Sequence, residues 1–440
     1  MVDGATFAWG VADMTISPIL ARAPAVCVIG AGVVGSATAF ALGRAGWRVT
    51  LVDSLRGAGQ GASCANGAQL SYSYVEPLAT PATLHALPSL LLSAGSPFRW
   101  QPRSSVSHWT WLAQFLRACR QSTADQTTRD LLALSALSAN TLHGWLRSLG
   151  DQTMSLHHSR PGKLVIYREG SSRGAAQRQI DLQATHGCDQ RLVSPHECLA
   201  LEPALANDQG KRIAFGVWTP SEEVIDSAAL SQALACQSGA TLLWDQPIGA
   251  LQVRNGKIVA VGPQGEPILA DHFVLAAGMA SADLLRPLGV RLPIQAIKGY
   301  SLTLPVRTES AAPTVSVTDL AHKVVYARLG NYLRVAGFAE LGNTNLALAQ
   351  GRIESLCASA QSIFPGACDI SQVNAWAGLR PATPSGIPMV GATRWPNLWL
   401  NTGHGALGLT LAAGSAALLS DLMGGVSPSI YAAPYHPTIY

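Results

Sequence analysis

Charge is scarce in this chain. Asp, Glu, Lys and Arg together make up 13% of its 440 residues, against about a quarter in an average globular protein. The 30 Lys and Arg and 26 Asp and Glu leave a net charge of +4. The cations are scattered, with no dense basic stretch interleaved with aromatics, which points away from a nucleic-acid partner. Long hydrophobic runs are also missing. Although 48% of the residues are apolar, no uninterrupted stretch reaches the ~20 residues of a confident membrane span. The nearest, "NTGHGALGLTLAAGSAALLSDLM" at residues 401–423, has a capped apolar part at 409–422, which reads as too short to span. The N-terminus has Asp3 in place of the basic start of a secretory signal, so residues 1–24 are expected to be a flexible leader. The 8 cysteines form no CxxC pair or metal-like cluster, which fits reduced thiols in the cytoplasm. HExxH and a Walker lysine are lacking too, so metal hydrolysis and nucleoside triphosphate chemistry have no foothold. A bound redox cofactor needs none of these motifs.

What is present begins at "AVCVIGAGVVGSATAFALGRAGWRVTLVDS". Residues 26–29 form an apolar strand. Gly30, Gly32 and Gly35 follow with the spacing of a tight turn that admits a pyrophosphate and lets helix pack on strand. A helix continues to Gly46, and a second strand ends on Asp53, an acid suited to the ribose hydroxyls of adenosine. The dinucleotide pyrophosphate is expected over the helix N-terminus, beside Val33 and Val34. The unit does not by itself separate NAD from FAD. The small, polar segment from 54 to 81, with Ser63, Cys64, Ala65, Asn66, Gly67 and Gln69, reads as extended backbone along a ligand.

Further on, residues 83–150 are helical in pattern and "GKLVIYREG" reads as strand and turn. Asp226 is a credible N-cap for a helix that ends at Gly239. A meander then leads to an apolar strand and Gly278, in "VLAAGMAS", which brings small residues to a ligand edge. "IQAIKGYSLTLPV" and "HKVVYARLGNYLRVAGFAEL" read as strands of an antiparallel sheet with a hairpin at 330–331, followed by a helix at 346–364. The order implies that a cofactor domain and a cap interleave along the chain.

Arg380, in "GLRPATPSG", lies in an apolar, turn-rich setting where a guanidinium is costly unless paired. Sequence alone leaves a carboxylate ligand and a structural ion pair equally open. Lys298, Tyr300, Tyr326 and Arg328 are weaker cleft candidates. His404, between two glycines, fits a backbone-lined ligand site as well as it fits proton transfer.

Together these parts resemble the FAD-dependent D-amino acid oxidase superfamily, and within it the bacterial D-amino acid dehydrogenase small-subunit group. The resemblance covers about 25–435. It rests on "VIGAGVVGSATAFAL" with Asp53, "ANGAQLSYSYVEPLA", "IKGYSLTLP", "GLRPATPSGIPMVG" and "NTGHGALGLTLAAGSAALLSDL". It implies an α/β fold: a Rossmann-like FAD-binding domain (25–82, 195–290 and 375–440) interleaved with an α+β substrate-binding cap built on an antiparallel sheet (83–194 and 291–374). By the same resemblance, Gly30, Gly32 and Gly35 hold the pyrophosphate of noncovalent FAD, and Asp53 the ribose. Ser63, Asn66, Gly67 and Gln69 lie along the ribityl chain and ring. Gly278, Gly403, His404, Gly405, Leu407 and Gly408 approach the cofactor. Arg380 grips the substrate carboxylate while touching the cofactor side, and Tyr300 and Tyr326 shape the pocket.

The implied reaction is hydride transfer from the Cα of a D-amino acid, with D-proline or hydroxyproline among the candidates, to flavin. The product is an imino acid or a 2-oxo acid plus ammonium, and electrons pass to a quinone or respiratory carrier. The implied setting is cytoplasmic with peripheral contact to the inner face of the membrane, alongside a partner subunit or a second copy. Two other readings stay open: an oxygen-reducing oxidase of glycine, sarcosine or a related amine, and an electron-transfer flavoprotein subunit. Cys64 and Leu409 depart from the group's pattern, Leu409 standing where a tryptophan is expected.

Overall fold

In a computed structural model of the protein, residues 23–75, 77–84, 96–210 and 212–437 are described. The expected leader lies outside them except for its last two residues. The chain opens with β1 (Ala25–Ile29), α1 (Val33–Arg44) and β2 (Arg48–Val52). It leaves through α2 (Val106–Ala118) and α3 (Gln121–Leu149) to β3 (Lys163–Tyr167) and β4 (Phe215–Thr219), and returns through α4 (Ser227–Gln237), β5 (Thr241–Leu243) and β6 (His272–Leu275). It departs again through β7 (Gln295–Pro305), β8 (Ser316–Asp319), β9 (Val324–Leu329), β10 (Tyr332–Leu341), α5 (Gln350–Ile363) and β11 (Asn374–Ala382). It closes with β12 (Met389–Ala392), β13 (Leu398–Thr402) and α6 (Gly408–Gly424).

Two sheets carry the architecture. The first runs β12-β13-β6-β1-β2-β5, parallel except for the antiparallel edge strand β12. Its central strands are apolar on both faces because both are covered: α1, α3 and α6 pack on one, and the antiparallel meander of residues 250–268 packs on the other. β1 accordingly reads AVCVI with only its first residue partly exposed. The second runs β11-β7-β10-β9-β8-β3-β4 and ends on the short strand Arg191–Val193. α5 packs on β7 and β10, so one face of this sheet is sealed by a core containing Leu302, Val317, Tyr326, Leu333 and Leu356. The opposite face is free to form a site.

β4 pairs with β3 and β11 pairs with β7, so Phe215–Thr219 and Asn374–Ala382, expected in the cofactor domain from 195 and from 375, are strands of the antiparallel sheet. The returns to the cofactor lobe begin near Ser227, where Asp226 caps α4 through Ala228 and Ala229 N–H, and after Ala382. α3, expected in the cap, packs on α6, and its Leu131, Leu132 and Leu134 join a core with Val26, Leu51 and Leu411. An amphipathic pattern specifies a buried face, not the surface that covers it.

α6 also differs from expectation. With the preceding turn it forms Gly405–Gly424, 20 residues of mean hydropathy 1.5, long and apolar enough by length and composition to cross a membrane. It lies between α1 and α3, and its residues Leu409 to Ala416 are all buried. Leu409 packs there, against Val33 and Ala37.

Candidate functional site

Between the lobes lies a cavity of about 1670 Å³, larger than the roughly 300–1,000 Å³ of ordinary small-ligand pockets. One end is built by the opening unit. Gly30 adopts φ +102° and a Cβ there would come within 2.7 Å of the Ala276 carbonyl; a Cβ on Gly35 would lie 1.8 Å from the Gly30 carbonyl. Only glycine lets strand, turn and helix close up like this. No side chain caps α1 at Gly32, so the helix start faces the cavity as an anion site. Ser63 Oγ accepts from Val33 N–H at 2.9 Å. Asp53 accepts from the N–H groups of Ala31 at 2.6 Å and Leu55 at 2.9 Å, which fixes its carboxylate at the end of β2. Asn66 Oδ1 accepts from Ala68 N–H, and Gln69 Nε2 donates to Ser316 Oγ.

The other end is the free face of the antiparallel sheet. In antiparallel register, directly paired residues share a face, and Arg380 pairs with Ile297, Gly378 with Gly299, and Trp376 with Ser301. A Cβ on Gly299 would be 2.5 Å from Arg380 Nη2, and one on Gly378 would be 2.0 Å from the Trp376 ring. The two glycines therefore seat the guanidinium and the indole side by side. Arg380 Nη1 donates to the Phe338 carbonyl at 3.1 Å. Phe338 itself has φ +65°, a conformation uncommon for a bulky residue and costly unless its surroundings impose it. It lies at the register shift between β7 and β10, where the ladder turns its carbonyl toward Arg380. No carboxylate pairs with Arg380 among the described residues, and burial pulls its guanidinium below the usual range. An arginine nevertheless stays protonated, so the cavity holds a desolvated cation with unspent donors. That is the arrangement for gripping a carboxylate.

His404 is buried and lines the cavity. Its Nε2 lies 3.0 Å from Ser415 Oγ, and the Ser415 hydroxyl also donates to the Ala412 carbonyl at 3.2 Å. Desolvation lowers its pKa to about 3, so the ring is neutral at physiological pH and acts as a fixed wall of the site.

The cavity gathers most of the sequence candidates: Gly30, Gly32, Val33, Val34, Asp53, Ser63, Ala65, Asn66, Gly67, Gln69, Gly278, Tyr300, Arg380, Gly403, His404, Gly405, Leu407 and Gly408. Gly35 contributes from beneath, through its contact with Gly30. Others are corrected. Tyr326 faces the sealed side, where its hydroxyl meets Ser359 at 2.7 Å, and its neighbour Val325 lines the cavity instead. Strand alternation accounts for the swap. Lys298 donates to the Ala347 carbonyl at 2.6 Å and Arg328 pairs with Glu309, both outside the cavity wall. Tyr300 belongs to the wall, but its hydroxyl is committed to Glu340 at 3.3 Å and it titrates up at about 12, through burial and that carboxylate. Cys64 does not line the cavity, and burial raises its thiol pKa, leaving a protonated neighbour.

Sequence reading missed Lys163. It is buried, lines the cavity, donates to Ser71 Oγ at 2.8 Å and stands 4.7 Å over the Tyr74 ring. Desolvation lowers its pKa to about 8, opposed by the nearby Glu222, whose own carboxyl is pushed up by burial. Ser71 N–H in turn donates to Thr410 Oγ1 at the start of α6. The available signal was a lone lysine opening the apolar run "KLVIY".

A parallel nucleotide-binding lobe facing an antiparallel sheet across one long cavity defines a two-lobed protein of the dinucleotide-binding class. Comparison with known proteins makes the assignment specific. Residues 25–422 match the model of the FAD dependent oxidoreductase family, DAO. The chain is 44% identical over 422 residues to D-amino acid dehydrogenase 2 of Ralstonia nicotianae, covering 93% of this chain and 99% of that protein. It is 42% identical to D-amino acid dehydrogenase 2 of Pseudomonas aeruginosa, covering 92% and 96%. The crystal structure of glycine oxidase from Geobacillus kaustophilus superposes with a TM-score of 0.73 at 20% identity, over 94% of this chain and 99% of that one. The chain belongs to the FAD dependent oxidoreductase family, and its cofactor is FAD.

The residues present fit that cofactor. The uncapped start of α1 and the crowded Gly30–Gly35 turn suit a pyrophosphate, and Asp53 is held where β2 ends. Asn401, fully buried in the cavity wall, donates to Thr38 Oγ1 at 2.9 Å and leaves Oδ1 without a partner among the described residues.

Proposed function

We propose that this protein is a D-amino acid dehydrogenase in which Arg380 binds the substrate carboxylate. The observation that carries the reading is the guanidinium on the free face of the sheet, which has no countercharge among the described residues. Identity of more than 40% to two dehydrogenases over nearly their whole length supports the substrate class. When bound, FAD accepts the two electrons of amine oxidation.

The chain's own residues do the positioning. Arg380 fixes the carboxylate, with Phe338 holding the guanidinium and Gly299 leaving room for it. Orientation supplies much of the rate in such a site. The amine enters neutral, having lost its proton to solvent, and the Cα–H leaves as hydride. The protonated imino acid that results then takes up water and releases ammonium to give the 2-oxo acid. His404, neutral and hydrogen-bonded to Ser415, bounds the site without taking a proton. Gly30, Gly32, Val33, Val34, Asp53, Ser63, Ala65, Asn66, Gly67, Gln69, Gly278, Gly403, Gly405, Leu407 and Gly408 contact the cofactor in this reading, with Gly35 packing beneath it.

Electrons leave to a quinone or another respiratory carrier, at the inner face of the cytoplasmic membrane. Supporting that contact, the outer side of α2 exposes Val106 (69%) and Trp109 (50%) beside the cavity. A partner subunit or second copy completes the transfer. The test is anaerobic mixing of the yellow holoenzyme with D-alanine, D-proline, L-alanine, glycine and sarcosine. The reading expects bleaching by D-amino acids and faster reoxidation by a soluble quinone than by oxygen. Bleaching by glycine or sarcosine alone overturns it.

A further inference from the structure

We propose that the preferred substrates carry a bulky apolar side chain, of the phenylalanine, methionine and leucine class, held in an aromatic pocket beside Arg380. This rests on the D-amino acid reading above.

The register across three strands places Arg380 beside Ile297, and Ile297 beside Leu341. Ala382 follows on the same strand, and its carbonyl accepts from the Trp111 indole N–H at 2.9 Å. That bond pins α2 over this end of the cavity. Phe115 stacks on Trp111 with ring centroids 5.3 Å apart, and Leu112 packs against the same cluster. On the opposite flank the Trp376 ring occupies the space that Gly378 leaves open. The carboxylate anchor is thus bordered by apolar surface on both flanks.

Two of the nearby indole N–H groups are already spent. Trp100 Nε1 donates to His108 Nε2 at 3.1 Å, and the Trp111 N–H is committed as above. Among the described residues the acids lining the cavity are Asp53 and Asp283; Asp53 ends β2, and Asp283 follows Gly278 in the nucleotide-binding lobe. A cationic substrate side chain would be desolvated beside Arg380 without a countercharge, which is strongly unfavourable. A small one would leave the pocket unfilled and forgo its apolar burial, a difference of about ten- to a hundredfold in affinity.

Two measurements on the holoenzyme test this. In anaerobic flavin bleaching, kcat/KM for D-phenylalanine and D-methionine should exceed that for D-alanine and D-proline about tenfold, and that for D-arginine about a hundredfold. In equilibrium titration followed by perturbation of the flavin absorption, 3-phenylpropanoate should bind about tenfold more tightly than propanoate. Leu112→Glu should erase the preference between the two acids and shift the D-phenylalanine to D-arginine ratio toward D-arginine. Leu116→Glu, at the exposed rim, replaces it if the first variant does not retain flavin. Equal binding of the two acids, or D-alanine, D-proline or D-arginine as the best substrate, overturns the proposal. Failure of every D-amino acid to bleach the flavin, with glycine or sarcosine active, instead overturns the parent reading, and the acid titration still decides the pocket.

Discussion

The two ends of the cavity are made of different material. The cofactor end is backbone and short side chains, and its polar groups largely satisfy one another: Ser63 with Val33, Asp53 with Ala31 and Leu55, Asn66 with Ala68. The substrate end is assembled from long side chains on separate strands and helices around the Arg380 guanidinium, whose protein partner is a neutral carbonyl. Self-satisfied donors hold their geometry, so the first end is preorganised for a large ligand that stays. An unspent charge makes the second end favourable to a small anion that exchanges. Changes at the first end should therefore act on flavin content, and changes at the second on turnover.

The largest effect separates them most sharply. Gly35→Val forces atoms into the Gly30 carbonyl, 1.8 Å from the position of a Cβ, and should yield protein without flavin absorption that added FAD does not restore. Arg380→Leu should keep its flavin while kcat/KM for D-amino acids falls roughly 10²–10³-fold, the scale for removing one partner of a desolvated charge pair. Loss of flavin from that variant would erase the distinction between the ends. Gly299→Ala pushes on Arg380 Nη2 and should raise KM about tenfold with flavin content intact. Asp53→Asn removes a charged acceptor from two amides and should weaken FAD binding about tenfold, with kcat unchanged at saturating FAD.

The smallest effect is one of pH. Lys163 is cationic below about 8 and neutral above it. If its charge contributes to the cavity potential, substrate affinity should show an alkaline limb near pH 8 that disappears in Lys163→Met. An identical limb in both proteins would remove Lys163 from the site.

The cofactor end was legible because its parts are contiguous: strand, glycine turn, helix, strand and Asp53 all fall between residues 25 and 53. Arg380 was legible as a charge stranded among apolar and turn residues, and the ambiguity between ligand and ion pair was one that only a partner search in space could address. The remaining errors have a common source. Whether Tyr326 or Val325 faces the cavity depends on strand phase, and a shift of one residue exchanges the faces. The irregularity between β7 and β10 near the left-handed Phe338 leaves no periodic mark in the sequence. The partner of α3 and the placement of Lys163 are likewise set by contacts across long sequence separations. Length and composition mark α6 only as an apolar segment, and its seat between α1 and α3 explains why so apolar a helix is there.

That seat has a consequence during protein synthesis. α1 and α3 emerge from the ribosome early, yet the surface that covers both is α6, near the far end of the chain. Until it arrives, the nascent chain carries an open apolar trough, the kind of exposed surface that invites aggregation and chaperone capture. Completion of the nucleotide lobe is thus tied to the translation of α6, so a ribosome that stalls shortly before Gly408 would leave a sticky, flavin-free polypeptide.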